Sequence, residues 1–219
     1  LQRRHFLYLQ AAAVGGVLVY TLDRRLHRVA AQSGSIRVPL RFFTHEQALD
    51  VAAAAARIFP ADESGPGANE AGVVIYIDRQ LAGPYGRGRY RYSQPPFEAG
   101  PAELGYQGKA TPREIYQEAL PSIRGLSKLP PDEQDARLRL IESKPFFALL
   151  RMHTIEGMFC DPIHGGNRDL IGWQLIGFPG PRMSYFDEIE KYYGRAFRPD
   201  PVSLEQVLGR RVKPSEDEA

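Results

Sequence analysis

Cysteine is nearly absent: the 219 residues include one, Cys160. No intrachain disulfide can form, and no paired-cysteine zinc framework is possible. The compartment stays open on that ground. Charge of one sign is also scarce. Lys and Arg total 28 against 26 acids, a formal net charge of +2, so no global basic field exists to hold nucleic acid. The uncharged run of residues 6–22 is shorter than the ~20 residues a spanning helix needs, and Gln10, Gly15 and Gly16 dilute it. No GxGxxG follows a strand pattern, no EF-hand spacing surrounds Asp62 and Glu63, and no repeat period is present. Apolar material is sufficient: 43% hydrophobic and 11% aromatic residues can bury the core of one domain.

The chain begins LQRRHFLYLQAAAVGG. A basic start followed by a short apolar run is the layout of an export signal. Arg3 and Arg4, followed by Phe6 and Leu7, narrow it to the twin-arginine pattern. Gln2 stands where that pattern usually has Ser or Thr. Arg24, Arg25 and Arg28 follow the apolar run at once, and positive charge there opposes translocation of that flank. An uncleaved anchor or an ordinary amphipathic first helix are the alternatives. The organisation expected is a signal-like segment over residues 1–35, a helical domain over 36–195 and a C-terminal tail over 196–219.

Helix signals dominate that domain. Thr44 with Gln47 forms a capping box before an Ala-rich apolar stripe that Pro60 ends. The stretch 69–83 reads two ways: its β-branched and aromatic run 73–77 favours a strand, whereas Ala71, Val74, Ile75, Asp78 and Leu81 suit helical spacing and Gly83–Pro84 supplies a helix stop; a helix is expected. Thr111, Pro112 and Glu114 open another. Residues from about 131 give a short charged helix. The stretch 143–159 gives an apolar one with Ser143 as its cap and Pro145 in its first turn, and Ser184 caps a later one closed by Gly194. The class expected is mainly α: one helical domain with long irregular loops, preceded by an N-terminal signal-like helix.

Residues 83–108 are a long Gly- and Pro-rich loop in which aromatics and arginines recur. Long loops in compact domains are functional or disordered. Arg and Tyr could serve single-stranded nucleic acid, but near-neutral charge removes the electrostatic support. The same residues anchor protein interfaces, which suits Tyr85, Arg87, Tyr90, Tyr92 and Phe97.

The stretch RMHTIEGMFCDPIHGGNRDLIGWQLIGFPGP holds His153, Glu156, Cys160, Asp161, His164 and Trp173. These include metal-ligand types, yet their spacing matches no established zinc or iron site. Cys160 and His164 could act as nucleophile and base, but spacing alone is no evidence of that geometry. HGGN could present amides to an anion; tight turns explain its glycines more simply. What remains is a turn-bound aromatic loop that either closes the core or docks on a partner.

The segment PFFALLRMHTIEGMFCDPIHGGNRDLIGWQLIGFPG, together with EAGVVIYIDRQLAGPYG, GYQ and TPREIY, closely resembles the gluconate 2-dehydrogenase subunit 3 family. The resemblance implies a non-catalytic small subunit with no cofactor or metal of its own. It implies a large FAD-containing partner of the glucose–methanol–choline type and a multihaem cytochrome c (haem c) subunit as electron acceptor. It also implies export of the folded pair by the twin-arginine route to the periplasm, with membrane association through the complex or the N-terminal segment. The expected partner contacts are the aromatic loop named above and Asp161, Pro162, Gly165, Gly166, Asn167 and Trp173. Two rival readings stay open: a small metal-dependent enzyme using His153, Glu156, Asp161 and His164, and a membrane-anchored structural protein.

Overall fold

A computed structural model describes residues 38–89, 91, 95–98 and 100–212. The signal residues Arg3, Arg4, Phe6 and Leu7, with all of residues 1–35, lie outside the described residues, as do Tyr90 and Tyr92. Among the described residues there are eight α-helices and no strand. They are α1 (His45–Ile58), α2 (Val73–Ala82), α3 (Pro112–Ala119), α4 (Pro131–Arg139), α5 (Pro145–Phe159), α6 (Ile171–Ile176), α7 (Phe186–Lys191) and α8 (Leu204–Val212). The mainly α expectation holds.

Helix α2 is the centre of the core. Val73 through Asp78 are all buried, with Leu81. A helix apolar all round its axis must be covered on every side, and α1, α3 and α5 pack around this one. Its β-branched run therefore marks depth in the core, not extended chain. The one acid in it, Asp78, is 1% exposed. Its carboxylate accepts from the backbone N–H groups of Arg41, Phe42 and Phe43 at 2.8–2.9 Å. Three donors satisfy a charge that burial would otherwise make costly. Asp50 on α1 works similarly on the turn after α3, accepting from Gly125 N, Ser127 N and Ser127 Oγ.

Both capping boxes form, Thr44–Gln47 and Thr111–Glu114. Ser143 does not cap α5: Lys144 occupies that position, without a side-chain cap, because Pro145 is the first helical residue. Ser184 accepts from Phe186 N, but Tyr185 is the N-cap of α7, which stops at Lys191, short of Gly194. A bidentate pair of Arg57 with Asp135, at 2.6 and 2.8 Å, ties α4 to α1. Residues beyond 195 are not all free tail: Leu204 N donates to Asp161 Oδ2 at 2.7 Å, which seats α8 on the body.

Candidate functional site

Helix α5 buries Phe146, Leu150 and Met158 in the ordinary way, but four consecutive positions run against it: the polar His153 and Thr154 are fully buried, whereas Met152 is 42% and Ile155 40% exposed. Thr154 satisfies its hydroxyl on the carbonyl of Leu150, one turn back. His153 lies between two tyrosines. Its Nε2 is 2.9 Å from the Tyr85 hydroxyl and its Nδ1 is 3.0 Å from the Tyr116 hydroxyl. Burial pushes the imidazole down to about 4, so it is neutral at pH 7 with one N–H donor and one acceptor nitrogen.

The proton arrangement follows from burial. Tyr116 is fully buried, and its O–H needs an acceptor, which Nδ1 supplies. The N–H is then on Nε2 and donates to the Tyr85 oxygen. Tyr85 is 37% exposed, and its own O–H is left to donate outward. Burial, and then the Glu156 charge, push the Tyr85 phenol up to about 12, so it stays protonated. One turn along α5, the Tyr76 hydroxyl donates to Glu156 at 2.9 Å.

Tyr85 opens onto an apolar groove of about 660 Å³ between the loop after α2 and the first half of α5. Ile115, Ala148, Leu149 and Met152 give it apolar walls, Tyr106 an aromatic one, and Lys144 and Glu142 a charged rim. Arg91 holds the loop side in shape. Its guanidinium donates to the carbonyls of Gly108 and Lys109 and lies 5.1 Å over the Phe97 ring and 5.7 Å over Tyr106. Of the aromatic-loop residues expected at an interface, Tyr85 lines the groove, Phe97 braces Arg91 from a half-buried position, and Arg87 is exposed. Arg91, Tyr106, Leu149 and Met152 are among the lining residues that sequence reading passed over. The available signal was Met152 and Ile155 flanking the polar pair His153 and Thr154.

The second expected contact region turns inward. Trp173 is 4% exposed, donates its indole N–H to Phe159 O at 2.7 Å, and meets Phe178 edge-on. Asn167 is fully buried; it accepts from Gly172 N and donates to Cys160 O. Gly166 is buried because its backbone presses on α5, where a Cβ would overlap the Gly157 carbonyl. These three residues close the core of the chain. Asp161, Pro162 and Gly165 are half-buried, and Asp161 is occupied with Ile163 N and Leu204 N.

The metal reading loses its geometry. His153 is inside the tyrosine pair, His164 is exposed, and among the described residues no three His, Cys, Asp or Glu side chains gather as a metal would require. Cys160 donates to Gly157 O, and burial raises its thiol to about 11, the opposite of an activated nucleophile. Among the described residues no helix is long and apolar enough to cross a membrane.

Against known proteins, the family model described as gluconate 2-dehydrogenase subunit 3 matches residues 45–180. No curated protein matches the chain, and no solved structure does.

Proposed function

The chain belongs to the gluconate 2-dehydrogenase subunit 3 family, and on that premise we propose that it is a non-catalytic accessory subunit of a periplasm-facing, FAD-dependent dehydrogenase complex. The catalytic partner is a flavoprotein of the glucose–methanol–choline type, which carries the FAD. A multihaem cytochrome c accepts the electrons. This chain supports folding of the flavoprotein and carries it across the membrane on the Arg3–Arg4 signal.

One observation carries the reading: α5 buries His153 and Thr154 while exposing Ile155 and Met152, and Met152 lines an apolar groove. An accessory subunit needs a face that is stable only when covered, and contiguous exposed apolar surface marks such sites. Tyr85 adds one directed donor, so the segment that fills the groove brings an acceptor to it.

The test is the full chain with Met152→Asp and Ile155→Asp, co-produced with the flavoprotein. Both side chains point outward, so the fold persists. Two charges set into an apolar contact weaken the complex by at least about tenfold, read as flavin absorbance co-purifying with the chain. Unchanged recovery of flavin overturns the docking face. The carrier role has its own check. Arg3→Lys with Arg4→Lys strands both proteins in the cytoplasm, and a flavoprotein that still reached the periplasm would contradict it.

A further inference from the structure

Residues 1–37 precede the described part of the domain, and the place where the chain enters it is fixed by contacts. The backbone N–H groups of Arg41, Phe42 and Phe43 are held by the Asp78 carboxylate. The Arg113 guanidinium lies 5.1 Å over the Phe42 ring, and Arg113 N donates to Gly86 O at 3.0 Å. Gly86 stands between Tyr85 and Gly88 in the loop that walls the groove, and Arg113 stands between Pro112 and Ile115 on its helical wall. The chain therefore enters against the first turn of α3, the same turn that lines the groove. A helix with its side chains is about 10–12 Å across, so entry point and groove are about one helix width apart.

The preceding segment contains an occupant of matching chemistry. Residues 6–22 are uncharged and mostly apolar, and an apolar run and an apolar groove both gain by leaving water. The fifteen residues 23–37 separate the run from the first described residue. Extended, they span up to about 50 Å, well beyond one helix width. A tether of this kind raises the effective concentration of the run at the groove to the order of millimolar. The groove, about 660 Å³, is roughly four times the size of a ~150 Å³ cavity that holds one benzene ring, so it takes about four leucine-sized side chains. Gln10 adds the one side-chain amide of the run, and its carbonyl is an acceptor for the Tyr85 O–H.

We propose that this chain's own residues 6–22 occupy the groove until the dehydrogenase subunit arrives, and that the flavoprotein displaces them. The proposal rests on the accessory-subunit reading and deepens it into an order of events. Arg4 stands two residues before Phe6, so a seated run holds the Arg3–Arg4 pair against the domain. Displacement by the flavoprotein frees the pair, and export follows assembly. A weak contact is sufficient. Against a millimolar effective concentration, a dissociation constant of ~0.1 mM leaves the groove open in about a tenth of the chains.

The experiment uses the full chain, made in cells without the twin-arginine translocase, with p-benzoylphenylalanine in place of Met152, which lines the groove. Irradiation joins that position to residues 6–22 of the same chain, read by mass spectrometry of the monomer. Prior addition of the purified flavin-bearing subunit removes these cross-links. A second full chain carries Leu9→Asp and Val17→Asp, both outside the described domain, so circular dichroism and Tm stay at wild-type values. Charges in the run keep it out of the apolar groove, and affinity for the flavoprotein, measured by interferometry, rises about tenfold over wild type. Cross-links that miss residues 6–22, or that join two copies, overturn the proposal, as does equal or weaker affinity of the variant. Each of these leaves the accessory-subunit reading standing. Cross-links to residues 6–22 that persist when the flavoprotein is bound overturn the displacement and the groove as the partner's seat. A chain that binds no flavoprotein removes the accessory-subunit reading and the displacement with it.

Discussion

Around Trp173 the polar groups are spent inside the chain, while along the outer face of α5 apolar groups are left outside it. The two regions share a helix. The loop after α5 folds back over its C-terminal half: Asn167 N donates to Gly157 O and Trp173 Nε1 to Phe159 O, at 2.8 and 2.7 Å. The cost of that closure is visible in Asn167, Asp169 and Leu170, three non-glycine residues at φ 44, 54 and 60°. Left-handed backbone costs about 1–2 kcal/mol per residue, so the surrounding contacts must outweigh it. The groove side shows the reverse: ordinary helical backbone, with Met152 and Ile155 uncovered. One region stabilises the chain alone; the other has its contacts still to make.

The largest effect should come from the closed region. Trp173→Ala removes a buried indole, its contact with Phe178 and its bond to Phe159 O. A loss of about 3–5 kcal/mol is expected, read from the urea midpoint of the isolated chain. A loss below about 1 kcal/mol would return Trp173 to the surface and dissolve the contrast.

Beneath the groove, His153 links the two regions' energetics to pH. Its pKa is about 4 in the fold and near 6.5 unfolded. The unfolded chain therefore binds more protons in that window, so stability rises with pH there. The neutral, buried imidazole contributes fully above about pH 6.5, and its contribution is lost as pH falls toward 4. The change is on the order of 3 kcal/mol. Urea unfolding at pH 7 and pH 4.5 should show that His153→Phe loses clearly less stability across the interval than the wild type. Parallel losses in both would mean that His153 is not the group responsible.

What local chemistry decides was legible beforehand. Thr44–Gln47 and Thr111–Glu114 cap their helices because a capping box needs only four consecutive residues. Residues 73–82 read as a helix despite their β-branched run, and depth in the core explains the composition. Ser143 misled because Pro145 moves the start of α5 by one residue. Trp173 was ambiguous for a deeper reason. Whether an aromatic in a turn-rich loop closes a core or faces a partner depends on Phe159 O and Phe178 arriving from elsewhere in the fold. The inversion on α5 was hidden similarly: a helix apolar around most of its circumference does not reveal which stripe its own chain will cover.

A smaller effect separates the groove's donor from its walls. Tyr85→Phe keeps the ring that lies edge-on to His153 and removes only the oxygen. Nε2–H loses its partner, and half-exposed water access limits the cost to about 1 kcal/mol. The same change removes the hydroxyl of a groove-lining residue, so flavoprotein binding should weaken beyond what the stability loss explains. Urea unfolding together with flavin co-purification measures both. Unchanged binding would mean that the groove's occupant brings no acceptor to Tyr85.

The smallest expected effect is the most discriminating. Met152→Ser with Ile155→Ser should shift the stability of the isolated chain by no more than about 0.5 kcal/mol per site, as for surface positions without internal partners. Serine has a weaker helix preference than methionine, which sets the sign of any small loss. Side chains that contribute little to their own fold have another reason to be apolar, and the same double variant should lose flavoprotein in co-purification. A destabilisation of about 2 kcal/mol or more in urea would mean that Met152 and Ile155 already pack against this chain. The outer face of α5 would then be as closed as the loop around Trp173, and the difference between the two regions would vanish.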